Sequence, residues 1–422
     1  MFKKNIKQCI TKVVWDDTRT GSPGQARGRR GEEDIILCVI PAKAGIQEIF
    51  TKILCAVTLL LYSFSINSWQ CDLASLSELM ATNNQIKYQE CSDIIPFNYE
   101  RLPVTDNHYL HPYQGFFHKT FILHITQAQL FGMDGWVFVD DKLIYDLTWQ
   151  NVFLPKYFWE QAKQNLPTLS FGKVAVIAQS GYPYYYHWLV EVLGRLALLE
   201  LNGAEYDFVY APMDKSYMKE AMQLWGIDSA KIIAASDNCI IQADELIVPS
   251  LVSKVHTNGC PRLSHYTPEY ILSHIRNKLL TAANKQETNF QGCKKVFISR
   301  KDAGSRKMLN EDEVFELFKA AGFQRYILSD LSLVEQIKLF NNAEIIVGAL
   351  GSGMANVIFC NDKVQVVDIF QARRDTTIYY LCQTFGFSYR CVKTMEFIDA
   401  NDGQYDSTVP LQIIQDLIDT LQ

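Results

Sequence analysis

The stretch Glu344-Ile-Ile-Val-Gly-Ala-Leu-Gly-Ser-Gly-Met-Ala-Asn356 decides how this chain is read. The apolar run Ile345-Ile346-Val347 stops at three glycines, Gly348, Gly351 and Gly353, and Met354-Ala355-Asn356-Val357 follows. That order spells a buried strand, a tight connection and a first helical turn. Glycines there permit positive φ and a close backbone approach, so the turn can aim N–H groups at a phosphate. Taken alone, the same cluster is also an ordinary strand-to-helix connection of an α/β domain. A second strand, Val364-Gln-Val-Val-Asp-Ile369, follows within a few residues. It sets Asp368 near its carboxyl end, where open α/β sheets bind ligands.

Two further segments work outward from this turn. In Lys295-Val-Phe-Ile-Ser-Arg300 a short β-rich run delivers Ser299 and Arg300 to its end, and a basic loop with Lys301, Arg306 and Lys307 follows. Asn310 and Glu313 then read as a helix start. Upstream, Tyr184-Tyr-Tyr-His-Trp-Leu-Val-Glu191 opens a strongly apolar helix. His187 and Glu191, four residues apart, share a face of it. A plain helix start with an ion pair from Glu191 to Arg195 is the other reading of that pattern.

Around these segments the pattern alternates. Residues 173–178, 207–210 and 231–233 read as strands, with helices at 187–201 and 216–225 between them and a strand at 245–248 closing the half. The second half reads as a helix at 268–280, then strands at 296–298, 325–328, 345–347 and 364–369. Helices at 312–321, 333–341, 354–359 and 377–385 separate or follow them. A last helix, 411–421, is expected to pack back across both halves. Residues 70–130 look irregular, with Pro96, Pro103 and Pro112, while 136–139 and 142–145 around Asp140-Asp141 read as a hairpin. The fold class is therefore α/β, with two Rossmann-like domains facing a cleft, 69–255 and 256–422.

The segments at Tyr184, Lys295 and Glu344, in this order and at this spacing, resemble glycosyltransferase family 61. That family reads His-Trp/Phe-Leu-x-Glu/Asp, then Ile-Ser-Arg with a basic loop, then Gly-Ala/Pro-His-Gly-Ala-Gly-x-x-Asn, then Val-Val-Glu. The resemblance covers about half the chain. Leu350 stands where the family has His, and Asp368 where it has Glu. The resemblance implies a GT-B-like architecture and transfer of a sugar, with inversion, from a nucleotide-sugar donor to a hydroxyl of a glycan or protein. A UDP-sugar is the first expectation for the donor, and neither metal nor cofactor is expected.

Such a transfer needs a base for the acceptor hydroxyl and positive groups for the departing diphosphate. Glu191 is the base candidate that the family spacing implies, with His187 as the other base candidate, as its orienting partner or as a sugar contact. Arg300 is placed to hold the diphosphate in bidentate fashion, with Arg306 behind it. Gly351, Ser352 and Gly353 offer backbone N–H groups, Asn356 closes the motif, and Asp368 suits a ribose hydroxyl. A solvated basic loop and a surface or capping Asp are the competing readings for Lys301, Lys307 and Asp368. The alternative function is a non-catalytic, glycan- or nucleotide-sugar-binding relic, which Leu350 supports. An unrelated nucleotide-dependent oxidoreductase lacks support, because no GxGxxG is followed by an acidic residue about 20 positions on.

Composition narrows the classes further. With 422 residues and 48% hydrophobic content the chain can bury a large core. Its net charge of −6 argues against a general nucleic-acid binder. Abundant Tyr and Phe suit a carbohydrate or nucleotide cleft, though most aromatics serve cores. No CxxC or His-x-x-x-His spacing is present, so no metal site is expected. Residues 1–46 read as a disordered or repeat-derived extension, and 38–47 resemble a translated bacterial intergenic repeat. Residues 47–68 have the layout of a signal-peptide core or anchor, with Lys52 before an apolar run shorter than the roughly 20 residues of a spanning helix. A plain buried helix is the other reading. Export, or membrane association through 53–66, is favoured over the cytoplasm. Under export Cys71 and Cys91 are placed to bridge, while free buried thiols remain the alternative.

Overall fold

Strands begin well before the first expected one. The computed structural model describes residues 72–99, 114–149, 156–257, 260–263, 266–370, 376–393 and 406–421. The extension, the 53–66 segment and Cys71 lie outside the described residues, and no helix among those described is long and apolar enough to cross a membrane. In chain order the elements are β1 (Leu73–Ala74), α1 (Leu76–Thr82), β2 (Ile86–Glu90), β3 (Ile95–Asn98), β4 (Gln114–Phe117), β5 (Phe121–Thr126), β6 (Gln129–Phe131), β7 (Trp136–Val139) and β8 (Lys142–Ile144). The stretch expected to be irregular is thus strand-rich. The β7–β8 hairpin is as expected, and its turn residues Asp140 and Asp141 have φ of 50° and 62°. Such paired positive φ values match the twist of a two-residue hairpin turn.

Next come α2 (Lys156–Asn165), β9 (Thr168–Val176) and a long helix, α3, built from α-helical Tyr185–His187, π-helical Trp188–Val192 and α-helical Leu193–Leu201. β10 (Phe208–Ala211), α4 (Ser216–Trp225), β11 (Ile232–Ala234) and β12 (Ile240–Pro249) complete the half. The βαβαβ rhythm is confirmed, with β9, β10 and β11 parallel. β12 joins the other side of β9, also in parallel, with Ile247 opposite Ala175. Antiparallel β5 and β6 then pair with the far edge of β12, so among the described residues a ten-stranded mixed sheet results. β13 (Lys254–Thr257) and β14 (Cys260–Leu263) pair with β4 and β3 in a small antiparallel sheet.

The rest is α5 (Glu269–Asn284), β15 (Lys295–Ile298), α6 (Glu311–Ala320), β16 (Gln324–Tyr326), α7 (Leu333–Asn342), β17 (Ile345–Ala349), a 3-10 helix (Ser352–Phe359), β18 (Gln365–Phe370), α8 (Thr377–Phe385), β19 (Ser388–Lys393) and α9 (Leu411–Asp419). The five strands are all parallel, in the order β16-β15-β17-β18-β19. Alternation along each strand splits its side chains between two faces. Phe297, Val347 and Val367 join the cluster of Phe318 and Leu417, from α6 and α9. Val296, Ile346 and Val366 join the larger cluster that includes α5, α7 and α8. The last helix therefore packs on α6 over the second sheet rather than back across both halves. Helix α5 lies against α3 and α4 on one side and α7 on the other.

Candidate functional site

The first part of the site is built where β9 ends. Gly181 turns the chain with φ of 88°, and a Cβ there would stand 3.2 Å from the His187 ring. A side chain at this position would be strained and would crowd the imidazole. The rings of Trp149, Tyr186 and Tyr184 make T-shaped contacts with that ring, at centroid separations of 5.0, 5.6 and 6.1 Å. His187 Nδ1 lies 3.1 Å from Glu191 Oε2, and Gln179 Nε2 donates to the same oxygen at 2.8 Å. The two candidates differ in access, because the Glu191 side chain is 0% exposed and that of His187 is 13% exposed.

A π-helical turn carries Glu191, and Leu193 N donates to Trp188 O within it. Such turns re-aim side chains inside an α-helix and often mark functional positions. Arg195 does not pair with Glu191. Its Nη1 donates to Ala178 O at 2.5 Å, and Nε and Nη2 donate to Pro249 O at 3.2 and 2.8 Å. The guanidinium thus clips the ends of β9 and β12 together, and burial pushes its pKa down to about 9.

The second part sits at the carboxyl ends of β15 and β17, neighbours in the second sheet with Ile298 opposite Gly348. Arg300 Nε donates to Arg306 O at 3.1 Å and Nη2 to Ser305 O at 2.8 Å, so the loop's own carbonyls hold the guanidinium. A side chain on Gly351 would collide with Arg300 Nη1. Burial and the nearby Arg306 cation push the Arg300 pKa down to about 10, which leaves it charged at neutral pH. Beneath, buried Glu311 accepts from Ser299 Oγ at 2.5 Å and from Arg300 N at 2.8 Å. Lys301 is engaged by exposed Asp312 at 2.6 Å, which supports a solvated role for that residue.

The glycines of the turn do not work through φ. None of Gly348, Gly351 and Gly353 has positive φ. What they supply is room, since a Cβ would come within 2.7 Å of Met354 Sδ at Gly348 and of Leu328 Cδ1 at Gly353. The helix after the turn starts at Ser352 and is 3-10, and Met354 N donates to Gly351 O at 3.0 Å. Leu350 is buried in the same apolar cluster as Ile298 and Met354.

One hydrogen bond joins the two parts. Tyr185 OH donates to Asn356 Oδ1 at 2.7 Å, and Asn356 Nδ2 donates to Gln336 Oε1 and Gly353 O, both at 3.0 Å. Gln336 is in turn tied to Leu328 O and Leu331 O. The helix with His187 and Glu191 is therefore pinned to the glycine turn beside Arg300. Asp368 is not brought to this surface. It is fully buried in β18, where Tyr389 OH donates to it at 3.2 Å. Gln179, Gln336 and Glu311 escaped sequence reasoning because a buried polar partner has no spacing signature. Tyr185 lay in the aromatic loop already singled out, and only its partner was hidden. Among the described residues no three His, Cys, Asp or Glu side chains gather as a metal site.

A comparison with curated proteins gives no match. The family model for glycosyltransferase 61 matches residues 185–367, a span that takes in His187, Glu191, Arg300 and the glycine turn. A match to that family supports glycosyltransferase activity. The match supports glycosyltransferase family 61 for residues 185–367, the segment that carries both parts of the site.

Proposed function

We propose that the chain is an inverting, metal-independent glycosyltransferase with a GT-B-like arrangement, using a nucleotide-sugar donor and a hydroxyl of a glycan or protein as acceptor. A UDP-sugar is the first donor to try. The observation that carries the reading is the Tyr185–Asn356 hydrogen bond. It ties the helix that follows β9 to the turn that follows β17, so a base and an anion cradle share one support.

In this reading His187 is the base and Glu191 stands behind it. Glu191 is fully enclosed, whereas the imidazole reaches solvent. The carboxylate beside Nδ1 orients the ring and stabilises the imidazolium, the division of labour of a His–carboxylate pair. Nε2 takes the acceptor's proton as its oxygen bonds to the sugar's anomeric carbon. The bond from that carbon to the diphosphate breaks, and the diphosphate leaves with the electron pair. The Arg306 cation helps lower the Arg300 pKa, so an anion beside the pair relieves that repulsion, and the N–H groups of 351–353 add donors. Asp368, fully buried and accepting from Tyr389 OH, serves as a support rather than as a ribose contact. Leu350 favours a second reading, a relic that binds without turnover, because no imidazole donor stands in the turn.

Thermal shift of the full chain with UDP-, GDP-, CMP- and dTDP-sugars tests both. One nucleotide class should raise the melting point, by roughly 2.7 kcal/mol of added stability at a hundredfold excess over Kd. Arg300→Ala should abolish that shift. His187→Ala should keep it and lower kcat by about 10² to 10⁴. A shift with no turnover supports the relic, and no shift with any nucleotide removes the donor site.

A further inference from the structure

We propose that a cavity of about 300 Å³ on the first sheet is a sugar-binding subsite for a neutral pyranose ring of a glycan. It lies between the start of α1, β2, β5 and residues 250–254, and it shares no residue with the site described above. Its volume is at the lower end for small-ligand sites, roughly 300 to 1,000 Å³.

The lining combines an aromatic platform with two lysines, Lys119 and Lys254, and one carboxylate, Asp146. The rings of Tyr88 and Phe121 meet at 4.9 Å with a tilt of 32°. Tyr88 stays 38% exposed and Ile94 49% exposed, so large apolar surface is left open around the cavity. An aromatic face of this kind takes the C–H face of a sugar ring. Lys119 is already held by Glu90 at 2.8 Å and Asp93 at 3.5 Å. Lys254 makes no ion pair among the described residues, and Asp146 pairs with no cation there, accepting only from Leu76 N at 2.6 Å.

An anionic ligand would meet Asp146, and a cationic one would meet Lys254. A polyol suits both, because each hydroxyl donates to a carboxylate and accepts from an ammonium. Ser250 also lines the cavity. The arrangement therefore selects an uncharged sugar, and it does so independently of whether transfer occurs.

Saturation-transfer NMR on the full chain tests this, with methyl glucoside, methyl galactoside and methyl glucuronide as probes. At least one neutral glycoside should give a transfer signal stronger than the glucuronide. Binding should weaken about tenfold in Tyr88→Ala and in Lys254→Ala, and remain unchanged in His187→Ala. The two variants remove partly exposed side chains, and an unaltered nucleotide-sugar thermal shift would report an intact donor site. The proposal is overturned if no neutral glycoside gives a signal, if both variants bind as the parent does, or if the glucuronide binds best.

Discussion

Gly351 has no side chain because Arg300 occupies the place where one would go. Adding a methyl group there must push the guanidinium off the loop carbonyls that hold it. Gly351→Ala is therefore expected to cost about 1 to 3 kcal/mol of stability and to remove the donor-induced thermal shift as fully as Arg300→Ala. Urea unfolding and the nucleotide-sugar shift measure the two effects, and an alanine variant with an intact shift would detach Gly351 from the cradle. The glycine cluster was legible in the sequence, but its reason was not. Spacing shows that glycines gather, and only packing shows that Met354, Arg300 and Leu328 press on them. His187 and Glu191 were equally legible as a pair, yet periodicity cannot say which of two residues on one face is enclosed.

At the scale of elements, the start of α6 shows how a helix end can serve a loop. Asn310 is the residue before the helix, as read from the sequence, but its side chain pairs with the backbone of Val409 rather than with its own helix. Glu311 takes over the work at that end by accepting from Ser299 Oγ and Arg300 N. Glu311→Ala leaves both donors buried without an acceptor and is expected to cost roughly 2 to 4 kcal/mol in denaturant unfolding. Glu311→Gln, which keeps an acceptor, should cost less, and equal losses would contradict this account. The parallel strands and their helices were readable because long apolar runs and 3.6-residue periods survive burial. The early antiparallel strands were not, because short runs with a proline look like loops. Pro96 is tolerated since β3 is the edge of its small sheet, where a missing N–H breaks no interior ladder. The π-helical turn had no signal at all, since one extra residue per turn leaves composition unchanged.

For the whole molecule, α5 is the joint. Its buried Ile271 reaches toward Gly194 of α3, and α7, on its other side, receives Glu220 of α4 at Leu333 N over 2.6 Å. The two halves thus complete each other's apolar faces. Each buried Ile or Leu contributes roughly 1.5 to 3 kcal/mol, so uncovering a few of them rivals a total stability of roughly 5 to 15 kcal/mol. Residues 256–421 expressed alone are therefore expected to bind ANS and to lose near-ultraviolet circular dichroism. A cooperative unfolding transition from that fragment would show that the second half is self-sufficient.

The Arg195 clip bears on the order of folding. Its donors end on two carbonyls, Ala178 just after β9 and Pro249 at the end of β12, which are far apart in the chain. A chain that has laid down β9 but not yet recruited β12 would have to enclose a cation with two of these three donor bonds unmade, which is costly. Docking of α3 therefore waits for the late strand. The helix that bears His187 acts as a checkpoint, seating only on a sheet in which β12 has already joined β9.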